Sequence, residues 1–260
     1  MSESKYSFLQ GLDDDDVRLL DRLSDWARAA EKKYVVKFSA FLDERQCLLC
    51  SRLMASLKYE NYMLWGGFEG AQRQMICVYP QYGEPDKSDF PIVPVTFRYR
   101  MEDKLTHRDF LGSLMGMRIT RDSVGDILVG EGSAAVFLRN SVAEDVLFSL
   151  KKVGRTGVKT ERGYDGSIAP EVKTVEICGT VASMRADCIF SLAAKLSREK
   201  AAQLIKNTGI EINHVLKNSP KATLDEGDVF SVRGYGKFVL GSVDGVTKKD
   251  RIHITLCKFV

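Results

Sequence analysis

Apolar residues along this chain recur at two spacings, one helical and one of strand period, and the spacing changes at glycines and acidic caps. Val17, Leu19, Leu20, Leu23 and Trp26 keep one apolar face, so residues 6–34 read as a helix. The acidic run Asp13–Asp16 is placed to cap and charge its start. A second helix is predicted over 43–58, with Cys47, Leu48, Cys50, Leu53 and Met54 inward. Leu64–Arg73 is a glycine-rich turn that exposes Glu69 and Arg73. Its glycines could cradle a phosphate, but neither a Gly-Lys-Ser/Thr ending nor a GxGxxG spacing accompanies them. Residues 75–165 follow a β-α-β-β-α order. The first strand is Met75–Tyr79 or Ile92–Tyr99, followed by Ile127–Val129 and Ala134–Leu138, with Glu131-Gly132 as the turn between the last two. The helices fall at about 107–117 and 142–152, and a strand at Lys173–Ile177 joins this set or follows it.

The 54 residues Arg185–Phe238 parse into two short helices and a small sheet. Asp187 is placed to cap the first helix, whose Ile189, Leu192, Ala193 and Leu196 form one stripe. Ser197 caps the second, with Ala201, Leu204 and Ile205 toward the same core, and Gly209 ends it. Ile210 and Ile212 then alternate with Glu211 before an Asn213-His214 turn, and Gly227-Asp228 marks another turn ahead of Val229–Arg233. Arg251–Phe259 closes the chain as an alternating strand, with Lys248, Lys249 and Arg251 as a basic edge.

Composition narrows the class. With 260 residues, 44% hydrophobic and 28% charged, the chain is an ordinary globular sequence of two or three domains. No apolar run reaches the ~20 residues of a membrane helix, and MSESKYSF lacks the order of a secretory signal, so a cytoplasmic location is expected. The net charge of +3 is uneven: residues 1–170 carry 24 Lys+Arg against 25 Asp+Glu, whereas residues 171–260 carry 14 against 10. That modest excess suits docking on structured RNA more than indiscriminate polyanion binding. Lys151–Lys159 and the following Arg162–Gly166 are basic and glycine-rich, and read either as a flexible connection between domains or as an extension of the cationic surface.

Chemistry-bearing patterns are weak. Cys47 and Cys50 have CxxC spacing within a helical pattern and no second pair, so they read as core; the six cysteines are expected to be reduced. His107, His214 and His253 are far apart, and no metal or cofactor is expected. His107-Arg108-Asp109 invites a kinase reading, which fails because Leu114 stands at the asparagine position. Asp109 instead belongs to the first turn of a helix presenting Phe110, Leu111, Leu114 and Met115 to the core, with Gly112 and Gly116 permitting close helix approach.

Arg185-x-Asp187, Ser197-Arg198-x-Lys200-Ala201, Asn213, Gly227-Asp228 and Arg233-Gly-Tyr-Gly-Lys237 together resemble the small RNA-binding domain named after ribosomal protein S4. Ala186 and His214 depart from that pattern without removing a cation. Candidate RNA-binding residues are Arg185, Ser197, Arg198, Lys200, Lys206, Lys217, Lys221, Arg233 and Lys237. Phe41-Leu-Asp43, Gly66–Arg73, His107–Gly116 and Arg121–Ile127 extend the resemblance, over nearly the whole chain, to the YlmH family. The resemblance implies an α+β protein with an N-terminal helical α/β region (1–74), a central ferredoxin- or RRM-like domain (75–165) and an S4-like domain (170–260, core 182–240). It also implies binding to the ribosomal RNA of the large subunit and to tRNA, in rescue of stalled nascent chains, with a genetic link to cell division. A protein partner could dock on the N-terminal domain.

Catalysis is the rival class, since S4-like domains are appended to pseudouridine synthases and RNA methyltransferases. The first 170 residues leave little room for a large catalytic sheet, and no strand–GxGxG–helix is present. Asp109 and Asp126 lack a His, Cys or Lys partner at useful spacing, so no catalytic residue is assigned.

Overall fold

The structure is a computed structural model, and it describes residues 6, 12–168, 174–213, 215–247 and 250–259. The chain is of the α+β class and divides into two units, Leu12–Glu171 and Val172–Val260.

The first unit opens with α1 (Asp14–Lys33) and its acidic cap. Asp13 accepts the Asp16 N–H at 2.8 Å while Asp16 accepts the Asp13 N–H at 3.0 Å. Two orphan helix donors are thereby satisfied. Asp16 also receives the Arg45 guanidinium at 2.5 and 2.9 Å, which fastens α1 to the later α2. Strand β1 (Lys37–Phe38) precedes α2 (Glu44–Ser56), whose start is boxed in the same way by Asp43 and Gln46. The buried face of α2 holds Cys47, Leu49, Cys50, Leu53 and Met54, so Leu49 takes the place expected for Leu48. Burial pushes the Cys47 thiol up to about 11 and Cys50 further still, which keeps both protonated. Strands β2 (Tyr62–Trp65) and β3 (Met75–Val78) complete a three-stranded antiparallel sheet in the order β1-β3-β2. Of the two candidates for the first central strand, Met75–Val78 therefore belongs to this N-terminal sheet. A boundary between residues 74 and 75 falls at the edge of its middle strand, not between sheets.

The central layer contains β4 (Ile92–Arg98), α3 (His107–Gly116), β5 (Val124–Val129), β6 (Ser133–Arg139) and α4 (Asn140–Ser149). A two-stranded hairpin, β7 (Lys152–Val153) with β8 (Thr156–Gly157), and then β9 (Lys159–Arg162) follow. The sheet order is β5-β6-β4-β9, all antiparallel, with α3 and α4 as the two crossovers. This is the split βαβ, ferredoxin-like arrangement. The basic, glycine-rich stretch after residue 150 is thus hairpin and fourth strand. A flexible connection does not describe it, because Val153 and Val158 are buried in the core under α3 and α4. Gly112 and Gly116 also differ from expectation: a Cβ at either would meet nothing within 4 Å. The close approach is made by Gly67, where a Cβ would lie 2.4 Å from the Phe137 ring.

Both faces of the central sheet are covered. Val95, Phe97, Val136 and Leu138 pack under the helices with Phe110, Leu114 and Val146. Ala135, Phe137 and Leu128 point the other way and pack with Phe41, Met75, Cys77 and Tyr79. On this second face the rings of Phe68 and Tyr164 close over Phe137 at 4.7 and 5.3 Å.

The second unit runs β10 (Thr174–Val181), α5 (Ala186–Ala194), α6 (Arg198–Thr208), β11 (Ile210–Ile212), β12 (Val215–Lys217), β13 (Val229–Val232), β14 (Gly236–Val246) and β15 (Ile252–Phe259). Its six strands form one antiparallel sheet in the order β10-β15-β14-β13-β11-β12. β10 pairs with β15 throughout, so the strand read near residue 175 follows the central sheet and does not join it. Ile189, Phe190, Ala193, Ala201 and Ile205 pack on Phe230, Val232, Phe238, Leu240, Ile254 and Leu256. Of the stripes read from the two helices, Ile189, Ala193, Ala201 and Ile205 are buried, Leu192, Leu196 and Leu204 are partly buried, and the buried Cys188 and Phe190 lay outside the reading. His214, Lys248 and Lys249 lie outside the described residues.

Among the described residues, no helix is long and apolar enough to cross a membrane, and no group of His, Cys, Asp and Glu is placed to hold a metal ion.

Candidate nucleic-acid interface

Helical spacing alone places Asp187 at the cap of the first C-terminal helix. The cap position is Arg185, and Asp187 sits two residues further in, 3% exposed, as the acceptor for two guanidinium groups. Arg185 donates to both its oxygens, Nε to Oδ1 at 3.1 Å and Nη2 to Oδ2 at 2.9 Å. Arg198, the first residue of α6, donates Nε to the same Oδ2 at 3.0 Å. Burial pushes the Asp187 carboxyl up, but the hydrogen bonds and charges of Arg185 and Arg198 outweigh it and hold the group below the usual carboxylate range. Two of the candidate cations are thus partly spent on structure. The triad keeps a net charge of one positive unit, with the Arg198 side chain half exposed.

The turn around Lys221 is tied to the same place. Ala186 N–H donates to Ala222 O at 2.7 Å and Asp187 N–H to Pro220 O at 3.1 Å. Arg185 and Thr223 also form an isolated bridge. Lys221 therefore stands exposed beside the Arg185–Asp187–Arg198 clamp, a neighbourhood that sequence separation concealed.

Ser197 caps α6 by accepting the Lys200 N–H at 3.2 Å, as read from the sequence. Lys200 and Lys206 are both exposed. Six residues at about 100° each leave them about 120° apart around the helix, on opposite flanks of its outer face. Lys217 is exposed on the edge strand β12, opposite Ile210 just past α6. Asn213 and Asp228 are brought together, Nδ2 to Oδ1 at 2.6 Å, while Val229 N–H returns to Asn213 Oδ1 at 3.0 Å. These bonds pin the residue that follows β11 to the start of β13.

Arg233 and Lys237 are separate from that cluster. They flank the Gly234–Gly236 turn, whose Tyr235 ring meets Phe190 edge-on at 5.2 Å. Lys237 alternates with the core residue Phe238, so it lies on the sheet face away from the helices, with its ammonium 5.4 Å from the Phe259 ring. The candidate residues consequently do not share one face. Lys258, which the sequence pattern did not single out, stands 5.6 Å over the Phe238 ring beside a cleft also lined by Lys195 and Tyr235. The alternation of β15, with Leu256 inward, was the signal that could have placed it on the helix side.

In the first unit, the glycine-rich loop and the Arg121–Ile127 stretch meet at Asp126. Gln72 N–H and Arg73 N–H donate to its two oxygens at 2.6 and 3.2 Å. The loop donors that could have cradled a phosphate are thereby occupied by a carboxylate from the chain itself. Arg73, expected to be exposed, points inward: Nε donates to Val124 O at 3.0 Å, and Nη2 to Phe41 O and Arg121 O at 3.3 Å each. Burial and then the Arg73 charge bring Arg121 down to about 10. Asp109 bonds to Thr106 at the start of α3, as a cap.

Comparison with known proteins agrees with this architecture. Residues 85–164 match the family profile described as "Putative RNA-binding domain in YlmH". A Bacillus subtilis (strain 168) relative named "Ribosome-associated protein quality control protein P2" is 30% identical over 245 residues, 93% of this chain and 94% of the relative. The chain belongs to the YlmH family. A solved structure, that of "Cell division protein ylmH from Streptococcus pneumoniae", matches with a TM-score of 0.50 and 27% identity, over 60% of this chain and 95% of that one. The family profile covers the ferredoxin-like layer, whereas the cationic cluster around Asp187 lies outside it.

Proposed function

We propose that this protein is a non-catalytic RNA-binding protein that docks on structured RNA, namely the large ribosomal subunit and tRNA, in the quality control of stalled translation. The observation that carries the reading is the clamp at Asp187. It holds Arg185 and Arg198 in fixed geometry beside Lys221 and the start of α6. A guanidinium whose carboxylate partner is buried keeps outward N–H groups for phosphate oxygens, and a preordered cation loses less entropy on binding. The paired helices on a small sheet fit an S4-like domain, and the name of the Bacillus subtilis relative points to the ribosome. Phosphate contacts supply position and affinity, with no bond made or broken.

The test is co-sedimentation with large ribosomal subunits across a salt series. Lys200→Ala/Lys206→Ala/Lys221→Ala leaves the clamp intact, so loss of fold is not the expected cause of any defect. The wild type should pellet with subunits at low salt, and the triple variant should stay in the supernatant. Identical profiles would reject the reading. A second reading, an accessory role in cell division through a protein partner, is favoured only by the name of the Streptococcus pneumoniae relative. It predicts that the triple variant keeps full function in vivo.

A further inference from the structure

The central unit cannot use the sheet face on which RRM domains stack bases, because Phe41, Phe68, Phe137 and Tyr164 fill that face. Its cations point to a different surface. Lys151, Lys152, Arg155 and Lys159 are all exposed, and no Asp or Glu occurs from residue 146 to residue 160. Elsewhere in this unit several arginines are paired: Arg98 with Glu161 and Asp165, Arg100 with Asp103, and Arg162 with Glu144. Among the described residues, none of these four cations forms an ion pair.

Lys159 lies on β9 opposite Arg98 and faces away from α4. The hairpin that begins after Lys151 and carries Lys152 and Arg155 is built as a rigid arm. Val153 and Val158 anchor it in the core, and Val158 N–H donates to Lys151 O at 2.9 Å. Its tip is tied to α3 by Gly154 N–H, which donates to Ser113 Oγ at 3.3 Å. The end of α4 is drawn to the same place, since Leu147 O accepts from Lys151 Nζ at 3.2 Å and from Thr160 Oγ1 at 2.9 Å. The next residue, Phe148, is 82% exposed. A solvent-facing phenyl ring at the helix end that Lys151 bonds, followed along the chain by Lys152 and Arg155 without acidic partners, is the combination on which single strands stack and track.

We propose that the β7–β8 hairpin and the end of α4 form a second RNA-binding surface, one that takes single-stranded RNA. Lys151, Lys152 and Arg155 would hold phosphates, and Phe148 would stack an unpaired base. The inference rests on the RNA-binding reading above but assigns a separate surface and a different RNA form.

The experiment measures binding of full-length protein to a short fluorescein-labelled oligouridylate by anisotropy over a salt series, with a labelled RNA hairpin and a poly-glutamate peptide as companions. Lys151→Ala/Lys152→Ala/Arg155→Ala should flatten the single-strand log–log salt slope by about 2, at roughly 0.7 for each lost contact. Phe148→Ala should weaken oligouridylate binding about fivefold or more, and Phe148→Tyr should restore it. All these positions are exposed, and unchanged thermal melts would show that the variants stay folded. The Lys200→Ala/Lys206→Ala/Lys221→Ala variant should lose hairpin-RNA binding while keeping oligouridylate binding; its failure to do so concerns the proposed function and not this surface. An unchanged slope in the Lys151→Ala/Lys152→Ala/Arg155→Ala variant, or an unaffected Phe148→Ala, would overturn the proposal. Equal affinity of the wild type for poly-glutamate would do the same.

Discussion

Asp187 and Asp126 each lie among two arginines, one carboxylate in each unit, and the two are used in opposite ways. Asp187 takes its arginines directly, so its charge is neutralised and its pKa is held low. Asp126 takes backbone N–H groups, and Arg73 and Arg121 turn to main-chain carbonyls. Burial then wins over those hydrogen bonds and the nearby positive charges, and raises the Asp126 pKa. The direct arrangement leaves guanidinium edges at the surface for a phosphate. The indirect one sews the glycine-rich loop to β5 and occupies the backbone N–H groups of Gln72 and Arg73. Charged residues of the same type thus leave partly exposed cations in one place and make a seam in the other. What differs is whether the polar partner is a side chain or the main chain.

The largest expected break in this comparison is Arg73→Ala. It removes the donors to Val124 O, Phe41 O and Arg121 O in a partly buried site, at a cost of about 3 kcal/mol or more. Urea unfolding should show the loss in the transition of the first unit. Next comes Asp187→Asn, which strips the anionic partner from Arg185 and Arg198. Counting the partial exposure of both arginines, about 2 kcal/mol is expected, read as a lower melting temperature of the second unit. Asp43→Ala removes the boxed cap of α2 and should cost about 1 kcal/mol by the same measurement.

Acid titration separates the two carboxylates by sign. A folded pKa below the unfolded value means that the Asp187 contribution is complete above about pH 4 and is lost as pH falls through the lowered pKa. The stability gap between wild type and Asp187→Asn should therefore close in strong acid. The Asp126 pKa is raised, so its ionised form penalises folding at neutral pH, and the penalty is relieved on acidification. Relative to Asp126→Asn, the wild type should gain stability between neutral pH and about pH 4. The smallest effect belongs to Lys200→Ala/Lys206→Ala/Lys221→Ala, which should change stability by less than about 0.5 kcal/mol while abolishing subunit binding.

Much of the local structure was legible because its determinants are local. The acidic cap run at Asp13, the helix over 43–58, the Ser197 cap and the Gly209 stop each depend on residues within one or two turns. Several of the readings that failed required a partner distant in sequence. Arg73 looked like a surface residue until carbonyls from Phe41, Arg121 and Val124 closed around it. The stretch after residue 150 looked like a linker because two valines are too short a pattern to reveal an anchor. Met75–Val78 had strand period but no mark of which sheet it would enter.

By itself, then, the sequence determined the element types, the α+β class, the apolar faces and the cationic excess after residue 170, since periodicity and composition carry those directly. Only the tertiary structure decided which cations share a face, that Asp187 ties two of them together, and that the second face of the central sheet is filled. Those outcomes depend on contacts between residues tens of positions apart. The free energy of such contacts comes from burial and from partner geometry, and neither is written in local spacing.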